Sequence, residues 1–136
     1  MADNIETVDI LGDLRQAPGH LMRRCQQIAV SVFLDECRSW DLTPLQFAIL
    51  VELKRQGPDD QVGLGGALAL DRTTISVVVR KLEERGLVER TTSEKDRRSK
   101  PVSITAKGID LISDVLPAAE SAQERMLAPL SVSERT

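Results

Sequence analysis

The stretch that decides the fold is residues 70–90, LDRTTISVVVRKLEERGLVER, where a helix start, an amphipathic run and a helix end follow one another. Asp71 is a residue type favoured at helix N-caps, and Gly86 is the type that most often follows a helix end. The apolar positions, which recur at helical spacing and are expected to face a core, are Ile75, Val78, Val79 and Leu82. The sequence therefore predicts an amphipathic helix with a polar outer face.

A complete helix-start signal lies upstream, in residues 42–47, LTPLQF. Thr43 as N-cap, a proline at the first helical position and Gln46 three residues after the cap make a capping box. This helix is predicted to run to the stop signal Gly57-Pro58. A short helix weakened by three glycines is predicted over residues 62–70, whose small residues would let another helix approach closely.

Two long helices are predicted at the ends of the chain, over residues 18–40 and 106–136. The first carries an apolar stripe of Leu21, Cys25, Ile28 and Val32. Two short strands, near 87–91 and 101–105, flank a basic tip. We therefore expect one domain over residues 1–136, mainly α-helical with a small β-hairpin wing: a winged helix-turn-helix over 42–105 between N- and C-terminal dimerisation helices.

Composition supports this fold class. The chain has 136 residues, of which 41% are hydrophobic and only 2% aromatic, so the core must be aliphatic. That composition disfavours a β-sandwich or barrel, whose strands favour aromatic residues. No apolar run approaches the roughly 18 residues of a membrane span, so we expect a soluble, cytoplasmic protein without membrane contact.

The charge is distributed unevenly along the chain. The net charge is −3, but residues 71–100 contain nine basic and six acidic residues, a net charge of +3. The basic residues concentrate in 95–100, KDRRSK, at the predicted hairpin tip. Placed on a winged helix-turn-helix, this segment favours double-stranded DNA as the partner.

Residue types needed for catalysis are sparse. The only histidine is His20, and no arrangement of nucleophile and base accompanies it. The sequence Gly63-Leu64-Gly65-Gly66 lacks the further glycine and the preceding strand of a dinucleotide site. Cys25 and Cys37 lie about 18 Å apart on one predicted helix, too far for an intrachain disulfide. We expect no enzyme activity, metal or cofactor.

The recognition helix of such a fold places its N-terminal half in the major groove, and the wing lies against the backbone or in the minor groove. Arg can address guanine or phosphate, Thr and Ser can reach bases or phosphates, and valine methyls suit thymine. The predicted DNA-binding residues are Arg72, Thr73, Thr74, Ser76, Val77 and Arg80 on the helix, with Lys95, Asp96, Arg97, Arg98 and Lys100 in the wing.

Five blocks in order make the chain resemble the multiple-antibiotic-resistance regulator (MarR) family over roughly residues 14–130. The blocks are 42–47, 70–76, 82–90, Asp96-Arg97-Arg98 and 104–108. The resemblance implies a repressor that binds a pseudo-palindrome as a homodimer with intertwined end helices, and that a small ligand or thiol oxidation releases. It also implies that Asp96 orients Arg98, with Arg97 as the alternative minor-groove side chain. The chain departs from the family pattern in two ways: its final helix is shorter, and the predicted helix over residues 62–70 contains more glycines.

The first helix suggests the kind of signal. Residues 18–24, PGHLMRR, resemble the branch of the family that responds to aromatic carboxylates such as hydroxybenzoates or hydroxynicotinate. His20, Arg24 and Gln27 share one helical face, since they lie at i, i+4 and i+7, and Arg15 lies just upstream. These four residues are the predicted ligand site, because arginine binds carboxylates bidentately and histidine can hydrogen-bond a ring hydroxyl.

Two alternatives remain. A thiol-responsive regulator would use Cys25 or Cys37, although the absence of tyrosine disfavours the thiol-sensing type. A winged-helix module for protein contacts is the other, although Arg97 and Arg98 favour DNA.

Overall fold

The protein is described by a computed structural model over residues 12–91 and 100–136. The elements are α1 (Pro18–Glu36), α2 (Pro44–Gln56), α3 (Gln61–Leu68), α4 (Arg72–Glu84), β1 (Val88–Arg90), β2 (Val102–Ile104) and α5 (Ala106–Leu127). Short 3-10 helices cover Leu14–Gln16, Arg38–Trp40 and Ser133–Arg135. The predicted fold class, mainly helical with a two-stranded hairpin, is confirmed.

The start of α2 shows the predicted capping box. The Thr43 hydroxyl accepts a hydrogen bond of 3.2 Å from the Gln46 backbone N–H, and the Gln46 side chain accepts one of 3.2 Å from the Thr43 N–H. Both bonds satisfy donors that a helix start otherwise leaves unpaired. The local sequence signal was therefore sufficient here.

The hairpin pairs β1 with β2 in antiparallel register, with Val88 opposite Ile104 and Arg90 opposite Val102. Val102 also exchanges two backbone hydrogen bonds with Asp59, in the loop before α3. The hairpin is therefore held both by the pairing of its two strands and by its hydrogen bonds to the connection between α2 and α3.

An aliphatic core lies where α2, α3, α4, α5 and the hairpin meet. Its fully buried side chains include Ile49, Leu50, Leu53, Leu64, Ile75, Val79, Leu82, Val88, Val102 and Val115. Phe33 of α1 and Phe47 of α2 pack with ring centroids 5.4 Å apart and join α1 to this core. Burial of these residues accounts for the amphipathic pattern of α4.

The two end helices are shorter than predicted. The first ends at Glu36 rather than residue 40, because Cys37 leaves helical backbone geometry with φ −101° and ψ 16°, and a separate 3-10 turn follows. The last ends at Leu127 rather than residue 136. Pro129, two residues after the helix end, has no backbone N–H with which to continue the helical hydrogen bonds.

Contrary to the prediction, the atoms closest to the glycines of α3 do not belong to another helix. A Cβ on Gly63 would meet the carboxylate of Asp59, and one on Gly65 would meet the Leu70 carbonyl. Gly66 has open space. The close approach is therefore made by neighbouring loop residues.

The predicted apolar stripe of α1 does not enter the core of the single chain. Leu21 and Ile28 are half exposed and Cys25 is exposed, while Val32 is half-buried. Met22 on the same helix is 72% exposed. The helix therefore presents apolar surface that its own chain does not cover.

Within the described residues, no single helix is long and apolar enough to cross a membrane; α3 and α4 meet that test only together, as a pair bent by 112°.

Candidate nucleic-acid interface

The turn between α3 and α4 sets the direction of α4. Ala69 ends α3 in a left-handed conformation, and the Leu70 N–H donates to the Gly65 carbonyl at 2.9 Å. The Asp71 carboxylate then accepts a 2.7 Å hydrogen bond from the Thr74 N–H, which lowers the pKa of Asp71. The chain bends by 112° between the helices, within the range of helix-turn-helix pairs.

The outer face of α4 consists of the side chains predicted to bind DNA. Arg72, Thr73, Ser76, Val77 and Arg80 are all exposed, and Thr74 is half-buried. The opposite face is buried through Ile75, Val79 and Leu82. A rigid, packed helix therefore presents two guanidinium groups, two hydroxyls and a valine to solvent.

A cleft of about 640 Å³ lies beside the first turn of α4, lined by α3 and the hairpin. The structure brings Arg72 and Lys100 to this cleft together with Arg90, which was not predicted from the sequence. Arg90 donates to the Glu83 carboxylate at 2.8 Å, so its charge is partly compensated. The cleft thus adds basic groups next to the exposed face of α4.

The structure describes one of the five predicted wing residues, Lys100. Lys100 is exposed. Lys95, Asp96, Arg97 and Arg98 lie outside the described residues, so their roles stay predictions. The pairing of Arg90 with Val102 fixes the two strands that lead to and from that segment.

The residues predicted to bind a ligand lie on and before α1. Arg24 donates to the Gln27 amide oxygen at 2.9 Å, so these two are brought together as predicted. His20 contacts Arg23, with Nδ1 and Nη2 3.1 Å apart, rather than Arg24. Arg15 pairs with Asp13 at 3.5 Å and is highly exposed. Only part of the predicted set therefore forms one cluster in the single chain.

A larger cleft, of about 810 Å³, lies between α1 and the start of α2. Gln27 lines it, as do Asp41, Leu42 and Thr43, whereas His20 and Arg24 are not among its lining residues. Its wall also includes Arg125 of α5, which bridges Asp35 at 2.7 Å and Glu36 at 3.0 Å. The hydrogen bond from Arg125 lowers the pKa of Asp35. This cation is therefore already compensated by two carboxylates.

The cysteines occupy different environments, and both are free. Cys37 is 1% exposed, and burial raises the pKa of its thiol. Since the thiolate is the reactive form, the raised pKa disfavours reaction at Cys37. Cys25 is exposed on α1.

A bent helix pair, a polar outer face on its second helix and an antiparallel hairpin directly after it define a winged helix-turn-helix protein. The model of the MarR family matches residues 42–100, from two residues before α2 to two residues before β2. The transcriptional repressor NicR of Pseudomonas putida KT2440 is 32% identical over 123 residues, covering 90% of this chain and 78% of NicR. The chain belongs to the MarR family of transcriptional regulators.

Two solved structures are similar throughout. One, described as showing how 6-hydroxynicotinic acid regulates DNA binding by BpsR of Bordetella bronchiseptica, is 31% identical with a TM-score of 0.84; the match covers 90% of this chain and 88% of that one. The other, the repressor CouR bound to a 23-mer DNA duplex, is 28% identical with a TM-score of 0.82; the match covers 92% and 89%.

Proposed function

We propose that this protein is a repressor that binds a pseudo-palindromic operator as a homodimer and is released by a small aromatic carboxylate. The observation that carries the DNA-binding part is the exposed face of α4, where Arg72, Thr73, Ser76 and Arg80 stand opposite a fully buried side. Such a helix fits the major groove, with its N-terminal residues at base edges. CouR, which has a similar fold, was solved on duplex DNA.

The homodimer is supported by the apolar surface of the end helices. Leu21, Met22 and Ile28 of α1 and Leu116 of α5 are between 42% and 72% exposed. Apolar side chains grouped on helices in this way are typical of a protein–protein interface. A second copy of the chain on this surface would give two recognition helices related by a two-fold axis, and hence half-sites about 10 bp apart.

The effector proposal rests on the uncompensated charge of α1. In the described part of the chain, Arg23 and Arg24 form no ion pair; their hydrogen-bond partners are His20 and Gln27. A planar carboxylate can therefore bind without displacing a protein carboxylate. DNA binding by the similar protein BpsR is regulated by 6-hydroxynicotinic acid, which combines a carboxylate with an aromatic ring. Burial of Cys37 argues against that residue as a thiol sensor.

A mobility-shift assay tests the DNA-binding part. Duplexes selected from a random pool with the wild-type protein would be titrated with wild type, Arg80→Ala and Arg55→Ala. Arg55 is a matched control because it is an exposed arginine on α2 paired with Glu52. We expect Arg80→Ala to weaken binding by about 1–3 kcal/mol and Arg55→Ala to bind like wild type. Equal binding by all three proteins would reject α4 as the DNA-reading helix, and a winged module for protein contacts would then be favoured.

A further inference from the structure

One side chain connects the end of α4 to the wall of the large cleft. Arg85, which caps the C-terminus of α4, donates from Nη1 to the Asp41 carbonyl at 2.6 Å and from Nη2 to the Trp40 carbonyl at 3.1 Å. Nη1 also lies 3.3 Å from the Gln46 amide oxygen. These partners lie 39 to 45 residues away along the chain, so Arg85 joins two otherwise separate parts of the fold.

One acceptor, Asp41, lines the cleft, and the other two, Trp40 and Gln46, lie on either side of the segment that forms its wall. Asp41, Leu42 and Thr43 line the 810 Å³ cleft, and Arg85 does not. The Gln46 oxygen that faces Arg85 also accepts the hydrogen bond from the Thr43 N–H. Displacement of residues 41–43 by an occupant would therefore move the groups that hold Arg85.

Electrostatics makes this connection stiff. The carbonyls of Trp40 and Asp41 lie at the C-terminal end of the 3-10 helix Arg38–Trp40, and Arg85 itself lies at the C-terminal end of α4. The guanidinium is stabilised by charge-assisted hydrogen bonds to these two carbonyls, and the end of α4 adds partial negative charge. The guanidinium is planar and holds its donors in a fixed fork, so it cannot follow one helix without transmitting force to the other.

The C-terminal end of α4 is also hydrogen-bonded to the start of α5. Lys107 Nζ donates to the Arg85 carbonyl at 2.9 Å, and the Thr105 hydroxyl donates to the Gly86 carbonyl at 2.7 Å. The end of α4 is therefore held from one side by the cleft wall and from the other by the first turn of α5. A shift of the cleft wall must therefore change the position of the end of α4 relative to α5.

We propose that Arg85 is a positioning residue that couples occupancy of the cleft to the placement of α4. It is remote from the N-terminal half of α4, which is the half proposed to face DNA, so it acts on DNA binding by transmitting a change at the cleft and not through contact. The inference deepens the proposed function and rests on its effector part, with the acid held by Arg24 reaching the cleft beside Gln27, which accepts from Arg24 and lines the cleft. It predicts that Arg85 controls the factor by which ligand and DNA weaken each other, a factor that is equal in both directions.

The functional test uses the full chain as wild type, Arg85→Lys and Arg55→Lys, with 6-hydroxynicotinic acid as the probe. Affinity for a selected duplex is measured with and without the acid, and affinity for the acid is measured without DNA. We expect the acid to weaken DNA binding of wild type and Arg55→Lys by about tenfold or more. Arg85→Lys keeps both separate affinities within about threefold, but the effect of the acid on DNA binding falls below about threefold. A full effect in Arg85→Lys would overturn the proposal.

A second measurement does not depend on DNA or on the acid. Thr43→Ala removes the α2 cap at the cleft wall, and amide hydrogen exchange is followed in α2 and at residues 82–86. In the wild-type background we expect faster exchange at both places; in the Arg85→Lys background we expect it at the start of α2 alone. If Thr43→Ala affects residues 82–86 equally in both backgrounds, or in neither, the proposal is wrong. Arg85→Gln, which also removes the guanidinium and leaves the Thr43–Gln46 capping box in place, serves if Arg85→Lys does not fold.

The two measurements distinguish the two claims. If exchange shows the coupling but the acid has no effect on DNA binding by wild type, the effector part of the proposed function fails and the role of Arg85 stands.

Discussion

The Asp71 carboxylate accepts a 2.7 Å hydrogen bond from the Thr74 backbone N–H, and this bond fixes the first turn of the helix that carries the exposed side chains proposed to contact DNA. Replacing Asp71 with alanine should lower the thermal midpoint and weaken DNA binding, because the first turn of α4 loses its cap. Asn is as good a cap as Asp, so Asp71→Asn should retain both properties at neutral pH. Calorimetric melting curves and DNA titrations of the two variants check this.

The same residue gives a pH dependence whose sign follows from its pKa. The hydrogen bond from Thr74 lowers the pKa of Asp71 below its ordinary value of 3.8. The charged form is therefore stabilised by folding, and its contribution is complete above pH 3.8 and is lost as the pH falls through the lowered pKa. Urea unfolding of wild type and Asp71→Asn should agree at neutral pH and diverge in acid, where wild type loses its charged cap while the Asn cap does not titrate. A constant difference at every pH would contradict this assignment.

The exposed stripe of α1 predicts a dimer interface. Ile28→Asp should release monomer, because a charge would be buried in an apolar interface, and DNA binding should be lost with it. Sedimentation velocity measures the first effect and mobility shift the second. Leu45→Asp is the matched control, since Leu45 is a partly exposed leucine on α2, outside the stripe. An intact dimer in Ile28→Asp would remove this stripe from the interface.

The wing prediction concerns Arg98. Arg98→Ala should weaken binding to all DNA sequences alike and reduce the slope of log affinity against log salt by about one, because wing contacts are mainly electrostatic. Affinities measured over a salt series give that slope. Lys54→Ala, at an exposed position on α2, should leave it unchanged. An unaltered slope in Arg98→Ala would reject the wing contact.

The effector prediction concerns Arg24 and His20. Calorimetric titration with 6-hydroxynicotinic acid should show binding to wild type that weakens at least about tenfold in Arg24→Ala, because a charged hydrogen bond contributes about 1.5–3 kcal/mol. His20→Ala should weaken it less, since its partner is a neutral ring hydroxyl. Wild-type affinity in both variants would place the ligand elsewhere, and Gln27 and Arg125 of the large cleft would become the next positions to test.

Alanine is expected to have opposite effects on the free energy of unfolding at Gly108 and at Gly66. A Cβ on Gly108 would collide with the Leu87 carbonyl and the Ile104 side chain, so Gly108→Ala should cost about 1–3 kcal/mol of unfolding free energy. Gly66 lies within α3 with open space around it, so Gly66→Ala should stabilise by about 0.4–1 kcal/mol. Chemical denaturation of both variants measures the difference. Similar effects would contradict the packing of α5 on the hairpin.

Features that depend on residues close together in the sequence were predicted correctly. The capping box at Thr43 and the N-cap at Asp71 each involve residues three apart, so their hydrogen bonds follow from the residue types. The buried face of α4 followed from helical periodicity in the same way. The exposed α1 stripe was recognised as apolar, although periodicity alone does not distinguish a core face from an interface.

Long-range contacts were not predictable from the residues. Arg85 meets its acceptors across 39 or more positions, and its place before Gly86 indicates the end of a helix but not which groups its side chain reaches. The backbone pairing of Asp59 with Val102 likewise depends on how the hairpin meets the loop before α3. The ligand cluster was only partly anticipated, because i,i+4 spacing put His20 with Arg24, whereas the i,i+3 contact to Arg23 forms instead.

The most direct test of the central claim is selection of bound duplexes from random DNA, followed by the stoichiometry of the selected complex in sedimentation equilibrium. A winged helix-turn-helix homodimer predicts an enriched sequence with two inverted half-sites about 10 bp apart, bound by two chains per duplex. Failure to enrich any sequence, or an asymmetric site bound by one chain, would contradict the proposed homodimeric DNA-binding repressor.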